Sequence, residues 1–384
     1  MRKNIFVTVA LFALTNVAAF AKLGKDGYYR VKNIATDRYV GIVHDKSQSQ
    51  IITTQADLEA LRAFKDWSWV ESDPATIVYF ERNGSGFNLH GQGTSTSAII
   101  GYNIEIQDLG GKYRCYVNYN GTQYLSVSTD EPDESVYRLN IGNRNTFEWY
   151  ISPVSSSSDC YFGVKPTVEA NGKYYATMYA DWGFSPATSS TKAYYVEKVE
   201  NGCAVIREIT GPVAASTPVI FECGSAEAVN NKLDIAVNDA TKPADNKLSG
   251  VYFCMNNGQS FHKDFVEYNP AIMRVLGTCS DGRPGFVKKS KDDFKIIDDF
   301  WSFMAAGAIP ANTAYLVVSE GTPDELPLIT AEEYAAGIND IYADAPTASD
   351  VVTLSGVVIK RNATSVKDLP AGVYIWNKRK IVVK

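Results

Sequence analysis

Histidine, cysteine and carboxylate side chains are the groups in this sequence that could do chemistry, and their spacing gives little support for catalysis. The sequence has three imidazoles, His44, His90 and His262, and a serine or cysteine nucleophile would need one of them as its base. Cys254 lies near His262 along the chain, but catalytic pairs meet in space rather than in sequence. The sequence lacks G-x-S-x-G, H-E-x-x-H and a glycine-rich phosphate-binding loop. We therefore predict that the protein is not an enzyme.

Paired carboxylates occur in one segment, at Asp292-Asp293 and Asp298-Asp299, and such pairs could serve glycoside hydrolysis. The segment 290–307 is predicted to be a helix with Ser290 as its N-cap and Gly307 at its end. Its apolar residues recur at helical spacing, so the carboxylates fall on the polar face, where solvent contact explains them. Calcium-binding loops are absent as well. The sequence predicts neither a metal nor a cofactor.

Binding of a sugar needs aromatic side chains and short polar side chains close together. Candidate groups of this kind recur between residues 39 and 124, and one further aromatic residue stands in the segment "MYADWGF". The predicted ligand-binding residues are Tyr39, His44, Asp45, Asn88, His90, Gln92, Asn118, Asn120, Tyr124 and Trp182. The alternative is structural: Asn and Asp in turns bond the backbone, and Tyr fills a core.

Three related segments hold most of these residues, at the spacing of about forty residues that a repeat architecture shows. They read "GYYRVKNIATDRYVGIVHD", "IVYFERNGSGFNLHGQG" and "KYRCYVNYNGTQYLSVSTD". Each one predicts a strand, a turn rich in Asn, Gly or Asp, and a second strand. A hairpin cannot bury its inner face alone, so we expect the three units to share one core.

Residues 22–152 resemble the β-trefoil of the ricin B-chain family, with aromatic-rich repeats and the closing segment "NTFEWYISPV". The resemblance covers roughly a third of the chain, and it implies a β-trefoil that binds carbohydrate. The family's Gln-x-Trp signature is replaced here by Phe147-Glu148-Trp149 and by "DWSW" around Trp67. One insertion, residues 53–64, predicts a helix with Thr54 as its cap.

The rest of the chain also reads mainly as strands. Residues 159–336 contain runs such as "KAYYVEKV" and "TPVIFEC", which predict a second antiparallel β-sandwich or barrel domain with one or two short helices. Phrases such as "IPANTAYLVV" resemble exported proteins of the Bacteroidetes. The sequence thus predicts an all-β, multi-domain fold.

Residues 345–384 predict a small C-terminal β segment. Its "LPAGVYI" and its basic end "KRKIVVK" resemble a shortened C-terminal sorting segment of type IX secretion cargo. A plain last β-hairpin of the fold is the alternative reading.

The N-terminus reads as a signal peptide over residues 1–21. Arg2 and Lys3 precede an apolar run, and Ala19-Phe20-Ala21 is a cleavage site. The run is shorter than the roughly 20 residues of a membrane span, so we expect an exported chain, extracellular or on the outer surface of a Gram-negative bacterium, without stable membrane insertion. A net charge of -6 makes nucleic acid a poor partner.

All six cysteines fall after the signal peptide, an even number that permits disulfides. Cys203 and Cys223 flank two strand-like runs and form the pair most suited to a bridge, while buried free thiols are the alternative.

Taken together, these patterns predict an exported, non-catalytic binding protein whose ligand is a glycan. A protein ligand, bound by a protease inhibitor or adhesin, is the first alternative. A secreted hydrolase with a site between domains is the weaker one.

Overall fold

A computed structural model of the chain describes residues 23, 26–42, 61–64, 70–92, 99–118, 120–128, 137–142, 145–251, 266–294, 307, 309–336, 349–363, 365–366, 368–376 and 379–383. Strands dominate these residues, and they form four sheets in which nearly all pairings are antiparallel. The predicted all-β class is confirmed.

The first sheet has ten strands and closes on itself. Its strands are β1 Gly27–Asn33, β2 Arg38–Ile42, β3 Leu61–Phe64, β4 Val78–Asn83, β5 Gly86–Gly91, β6 Ile99–Asp108, β7 Tyr113–Asn118, β8 Thr122–Ser128, β9 Tyr137–Gly142 and β10 Trp149–Pro153. The first strand pairs with the last, from Tyr29↔Pro153 to Asn33↔Trp149, and also with β4. β10 in turn pairs with β7. We call this sheet the ring.

Three hairpins of the ring, β1–β2, β4–β5 and β7–β8, coincide with the three repeated segments. Their strands alternate, so one face of each hairpin points into a shared core. Phe80, Cys115 and Val127 are fully buried there, and Trp149 donates from Nε1 to the carbonyl of Leu125 at 3.0 Å. The Asn and Gly residues of the turns supply the left-handed backbone, as at Asn120, where φ is +52°.

The helix predicted over residues 53–64 is wrong at its C-terminal end, because Leu61–Phe64 is strand β3. This strand pairs with β2 from Ile42↔Leu61 to Tyr39↔Phe64, and with β9 on its other side. Hydrogen bonding to two neighbouring strands outweighs the helical spacing of a few apolar residues. Residues 53–60 lie outside the described part.

The second part of the chain forms a three-stranded sheet and another ten-stranded sheet, which contains one parallel pairing, β16 with β23. Its strands are β11 Phe162–Gly163, β12 Val168–Ala170, β13 Lys173–Met178, β14 Gly183–Pro186, β15 Lys192–Glu200, β16 Cys203–Glu208, β17 Val219–Cys223, β18 Lys232–Ala236, β19 Leu248–Gly250, β20 Met273–Thr278, β21 Pro284–Val287, β22 Ala314–Val317 and β23 Glu325–Thr330.

Helices are short in the described residues. They are the 3₁₀ helices Pro74–Thr76, Ala228–Asn230 and Lys291–Asp293, and the α-helix α1 Ala331–Ala335. Ser290 is the N-cap of Lys291–Asp293, as predicted, since its hydroxyl accepts from the Asp292 amide. Gly307 has φ +88°, but residues 295–306 of the predicted helix lie outside the described part. None of the helices described here is long and apolar enough to cross a membrane.

The C-terminal residues form a four-stranded sheet with its own small core around Trp376 and Ile381. Its strands are β24 Ser349–Thr353, β25 Val358–Ala363, β26 Gly372–Trp376 and β27 Arg379–Val383.

The ring and the second part are packed together along the outer faces of β1 and β4. Tyr28 and Tyr79 from the ring share an apolar cluster with Phe162 and Trp182. Beside them the buried guanidinium of Arg30 donates to the carbonyl of Val70 at 2.7 Å, to Thr76 Oγ1 at 3.2 Å and to the carbonyl of Tyr161. This packing covers part of the first and second hairpins.

The candidate Cys203–Cys223 disulfide is absent, and the five described cysteines form no disulfide, in line with the alternative of unbridged thiols. The two cysteines lie on the strands on either side of β15, at its opposite ends. Cys203 is opposite Glu200, the last residue of β15. Cys223 follows Glu222, which is opposite Lys192, the first residue of β15. Nine residues of extended strand separate the two ends by about 25 Å, far beyond the reach of a disulfide. Cys254 lies outside the described residues.

Candidate functional site

Each of the three repeated hairpins of the ring carries at least one predicted binding residue on the outer face of its second strand. The residues opposite them differ: Tyr39 lies opposite Lys32, Asn88 opposite Glu81, and Tyr124 opposite Tyr116. Residues directly opposite each other on antiparallel strands are in side-chain contact. The three hairpins therefore present three different surfaces built on one backbone plan.

The first hairpin places the cation of Lys32 over the aromatic ring of Tyr39. The Nζ of Lys32 lies 5.3 Å from the ring centroid of half-buried Tyr39 and 2.5 Å from the carboxylate of Asp37. Burial raises the pKa of the Tyr39 hydroxyl. His44 and Asp45, the polar residues predicted to accompany Tyr39, lie outside the described part of the chain.

The second hairpin brings Asn88 and His90 together on one carboxylate. The amide of Asn88 donates to Glu81 Oε2 at 3.0 Å, and His90 Nε2 lies 3.0 Å from the same oxygen. Hydrogen bonds from Asn88 and then His90 lower the pKa of Glu81. His90 itself is 3% exposed, so only the Asn88 and Glu81 end of this group reaches solvent.

Gln92, predicted as a third ligand-binding residue of this hairpin, instead joins the ring to the second part. It is fully buried, and its Oε1 accepts from Asn312 Nδ2 at 2.7 Å. The same Asn312 amide donates to the carbonyl of Tyr179. Because its side-chain carbonyl is bonded inside the protein, Gln92 does not face a ligand.

Trp182, predicted as an exposed aromatic residue in a loop, is 0% exposed. Its ring meets Phe162 and Phe184 edge-on, at centroid distances of 5.0 and 5.8 Å. The indole is buried in the apolar cluster between the ten-stranded ring sheet and the second part of the chain, so the prediction for Trp182 is wrong.

The third hairpin carries a row of half-buried aromatic side chains. Tyr124 stacks on Phe147 with ring centroids 4.9 Å apart and an angle of 27°, and Tyr116 follows at 5.9 Å from Tyr124. The guanidinium of Arg114 lies 4.9 Å from the Phe147 centroid on the same outer face. These four side chains form a continuous cation-and-aromatic surface.

Polar groups border this row. The Arg114 guanidinium donates to Glu148 Oε1 at 2.7 Å, and both side chains remain about one-third exposed. The Nε of Arg114 is buried without a hydrogen-bond partner among the described residues. Asn118 is exposed at the end of β7, where its Oδ1 accepts from Thr122. We call Arg114, Tyr116, Asn118, Tyr124, Phe147 and Glu148 the third-hairpin face.

The local sequence explains why this face forms. Strand alternation sends Tyr113 and Cys115 into the core and leaves Arg114, Tyr116 and Asn118 outside. Phe147 and Glu148 precede strand β10, and both are half-buried next to the fully buried Trp149.

Sequence reasoning found Asn118, Asn120 and Tyr124 and missed Arg114, Tyr116, Phe147 and Glu148. The structure brings Asn118 and Tyr124 into the face, while Asn120 is an exposed turn residue with positive φ. The signal for Phe147 was present, since it stands at the first position of the altered Gln-x-Trp signature.

Among the described residues no cluster of three or more metal-ligating side chains occurs. Asp73, a carboxyl whose pKa is raised by burial, accepts a hydrogen bond from the Ala75 amide as a helix cap, and Asp293 likewise accepts from the Ser290 amide. Comparisons with protein families, curated proteins and solved structures returned no match.

Proposed function

We propose that this protein is an exported, non-catalytic carbohydrate-binding protein that binds glycan through the third-hairpin face. The observation that carries the proposal is the half-exposed row of Tyr116, Tyr124 and Phe147 beside a charged pair. Aromatic side chains offer apolar area to the C–H face of a sugar, and the polar groups orient its hydroxyls. The three hairpins around one core agree with the β-trefoil resemblance, which remains part of the proposal, as does export.

The test is a glycan-array screen of the full chain beside the variant Tyr124→Ala. We expect the variant to lose at least about tenfold in affinity, or about 1.4 kcal/mol. The matched control is Tyr334→Ala, because Tyr334 is also half-buried and also has a cation, Lys198, close to its ring at 4.2 Å. Failure of the wild type to bind any glycan, or equal loss in both variants, would sink the proposal.

A protein ligand is the second candidate, and one feature favours it. Phe147 stacks on Tyr124, so these two aromatic rings present edges as well as faces to a ligand. Clusters of Tyr and Arg recur at the centres of protein interfaces. This candidate predicts that Tyr124→Ala loses capture of a protein partner and that free sugars do not compete.

A further inference from the structure

A groove in the second part of the chain, formed by residues that follow the ring in sequence, combines polar and apolar lining side chains. The groove is open to solvent and has a volume of about 440 Å³, which is within the range of small-molecule sites. One wall is the turn from β14 to β15, with Ser185, Ser189 and Lys192, and the other follows β16, with Glu208 and Thr210. Ala193 and Ile209 supply an apolar floor, joined by a hydrogen bond from the Ile209 amide to the Ala193 carbonyl at 2.8 Å.

Hydroxyl groups in this groove are available to a ligand. Within the described residues, the side chains of Ser185, Ser189 and Thr210 make no hydrogen bond to protein, and those of Ser189 and Thr210 belong to exposed residues. Thr191, in contrast, is buried and lies within hydrogen-bond range of Asn231 at 3.5 Å. Thr191 therefore has a structural role, while the hydroxyls of Ser185, Ser189 and Thr210 can form hydrogen bonds with a ligand.

The charges of the groove select its ligand. Lys192 Nζ lies 2.9 Å from Glu208 Oε2, with both side chains about two-fifths exposed. The pair has no net charge, so Glu208 disfavours an anion and Lys192 disfavours a cation. Together they set a donor and an acceptor side by side, which matches two neighbouring hydroxyls of a sugar ring.

We propose that this groove is a second saccharide site, which takes one or two neutral sugar units. The proposal goes beyond the function proposed above, because the groove includes no residue of the third-hairpin face.

Saturation-transfer NMR on the full chain tests the groove, with glucose, galactose, mannose, maltose and lactose at concentrations up to about 20 mM. We expect at least one of these sugars to bind, and both Lys192→Met and the double variant Ser189→Ala, Thr210→Val to weaken it at least about fivefold. Lys198→Met is the matched control, because the Lys198–Glu200 pair lies on the same strand with the same lysine exposure of 42%. It should bind like the wild type.

Absence of any sugar signal from the wild type would overturn the proposal, as would equal binding by wild type and groove variants. Inorganic phosphate that binds more tightly than every sugar would also overturn it, because the paired charges of Lys192 and Glu208 disfavour an anion. The variant Tyr124→Ala separates the two proposals: it should lose array binding and keep the groove signal. The substitutions are at the surface, so unfolding temperature should change little.

Discussion

Arg30 is expected to hold the ring against the second part, and Arg30→Met tests this with little change in side-chain volume. The substitution removes a donor from the carbonyls of Val70 and Tyr161 and from Thr76 Oγ1. The single proton of the Thr76 hydroxyl is shared between the carbonyl of Val70 at 3.0 Å and that of Asp73 at 2.8 Å, so the loss falls on the carbonyls of both Val70 and Tyr161. A buried acceptor that loses its donor costs about 1–3 kcal/mol.

Asp73 adds a pH-dependent part to this cost. Burial raises the pKa of its carboxyl to about 6, although the hydrogen bond from Ala75 and the charge of Arg30 oppose the rise. Because the pKa of Asp73 is higher in the folded state than in the unfolded state, the protein loses stability as pH rises from about 4 through 6. Above pH 6, Arg30→Met leaves this carboxylate ionised without its nearby cation, so we expect a total cost of about 2–4 kcal/mol there and less at pH 5.

Urea unfolding at pH 5 and at pH 7.5 measures the two values. Arg207→Met is the control, because Arg207 forms an exposed ion pair with Glu197. Its substitution should lower the free energy of unfolding by less than about 1 kcal/mol. If Arg30→Met costs no more than the control at both pH values, Arg30 does not hold the ring against the second part. A cost that grows as pH falls would refute the part assigned to Asp73.

Two further predictions concern the second sheet and the thiols. Gly285→Ala would place a Cβ 2.3 Å from Cys279 Sγ and 2.9 Å from the carbonyl of Leu326, so we expect a loss of about 1–3 kcal/mol in the free energy of unfolding, measured by thermal unfolding. An unchanged unfolding temperature of Gly285→Ala would contradict this packing. Burial raises the pKa of the Cys115 and Cys223 thiols to about 12, so iodoacetamide at pH 7.5 should label them only after unfolding. Mass spectrometry of labelled peptides measures this. Rapid labelling of the folded chain would disprove their burial.

Several features could be predicted because they depend on neighbours in sequence. The turns at Asn120 and Gly121 need a left-handed backbone, which Asn and Gly adopt at least cost. The cap at Ser290 likewise needs only the amides that follow it. Alternation of large apolar residues was enough to predict the hairpins and the all-β class.

The candidate site was only partly predictable because it depends on coverage by distant segments. Gln92 is buried by Asn312, 220 residues away along the chain, and no local pattern records that contact. Trp182 and Phe147 are both aromatic residues near Gly, Asp or Glu, yet one is enclosed and the other lies half-buried on the outer surface.

The local sequence pattern was sufficient to predict the strands of the three repeated hairpins, their turns and their two faces, since these follow from side-chain alternation and backbone preference. Only the tertiary structure decided which outer faces are covered. The second part of the chain packs on β1 and β4 and removes Tyr28 and Tyr79 from solvent, whereas the third hairpin keeps Tyr116 and Tyr124 partly exposed. The physical reason is that burial is shared among segments far apart in sequence, and alternation within one segment carries no information about its partner.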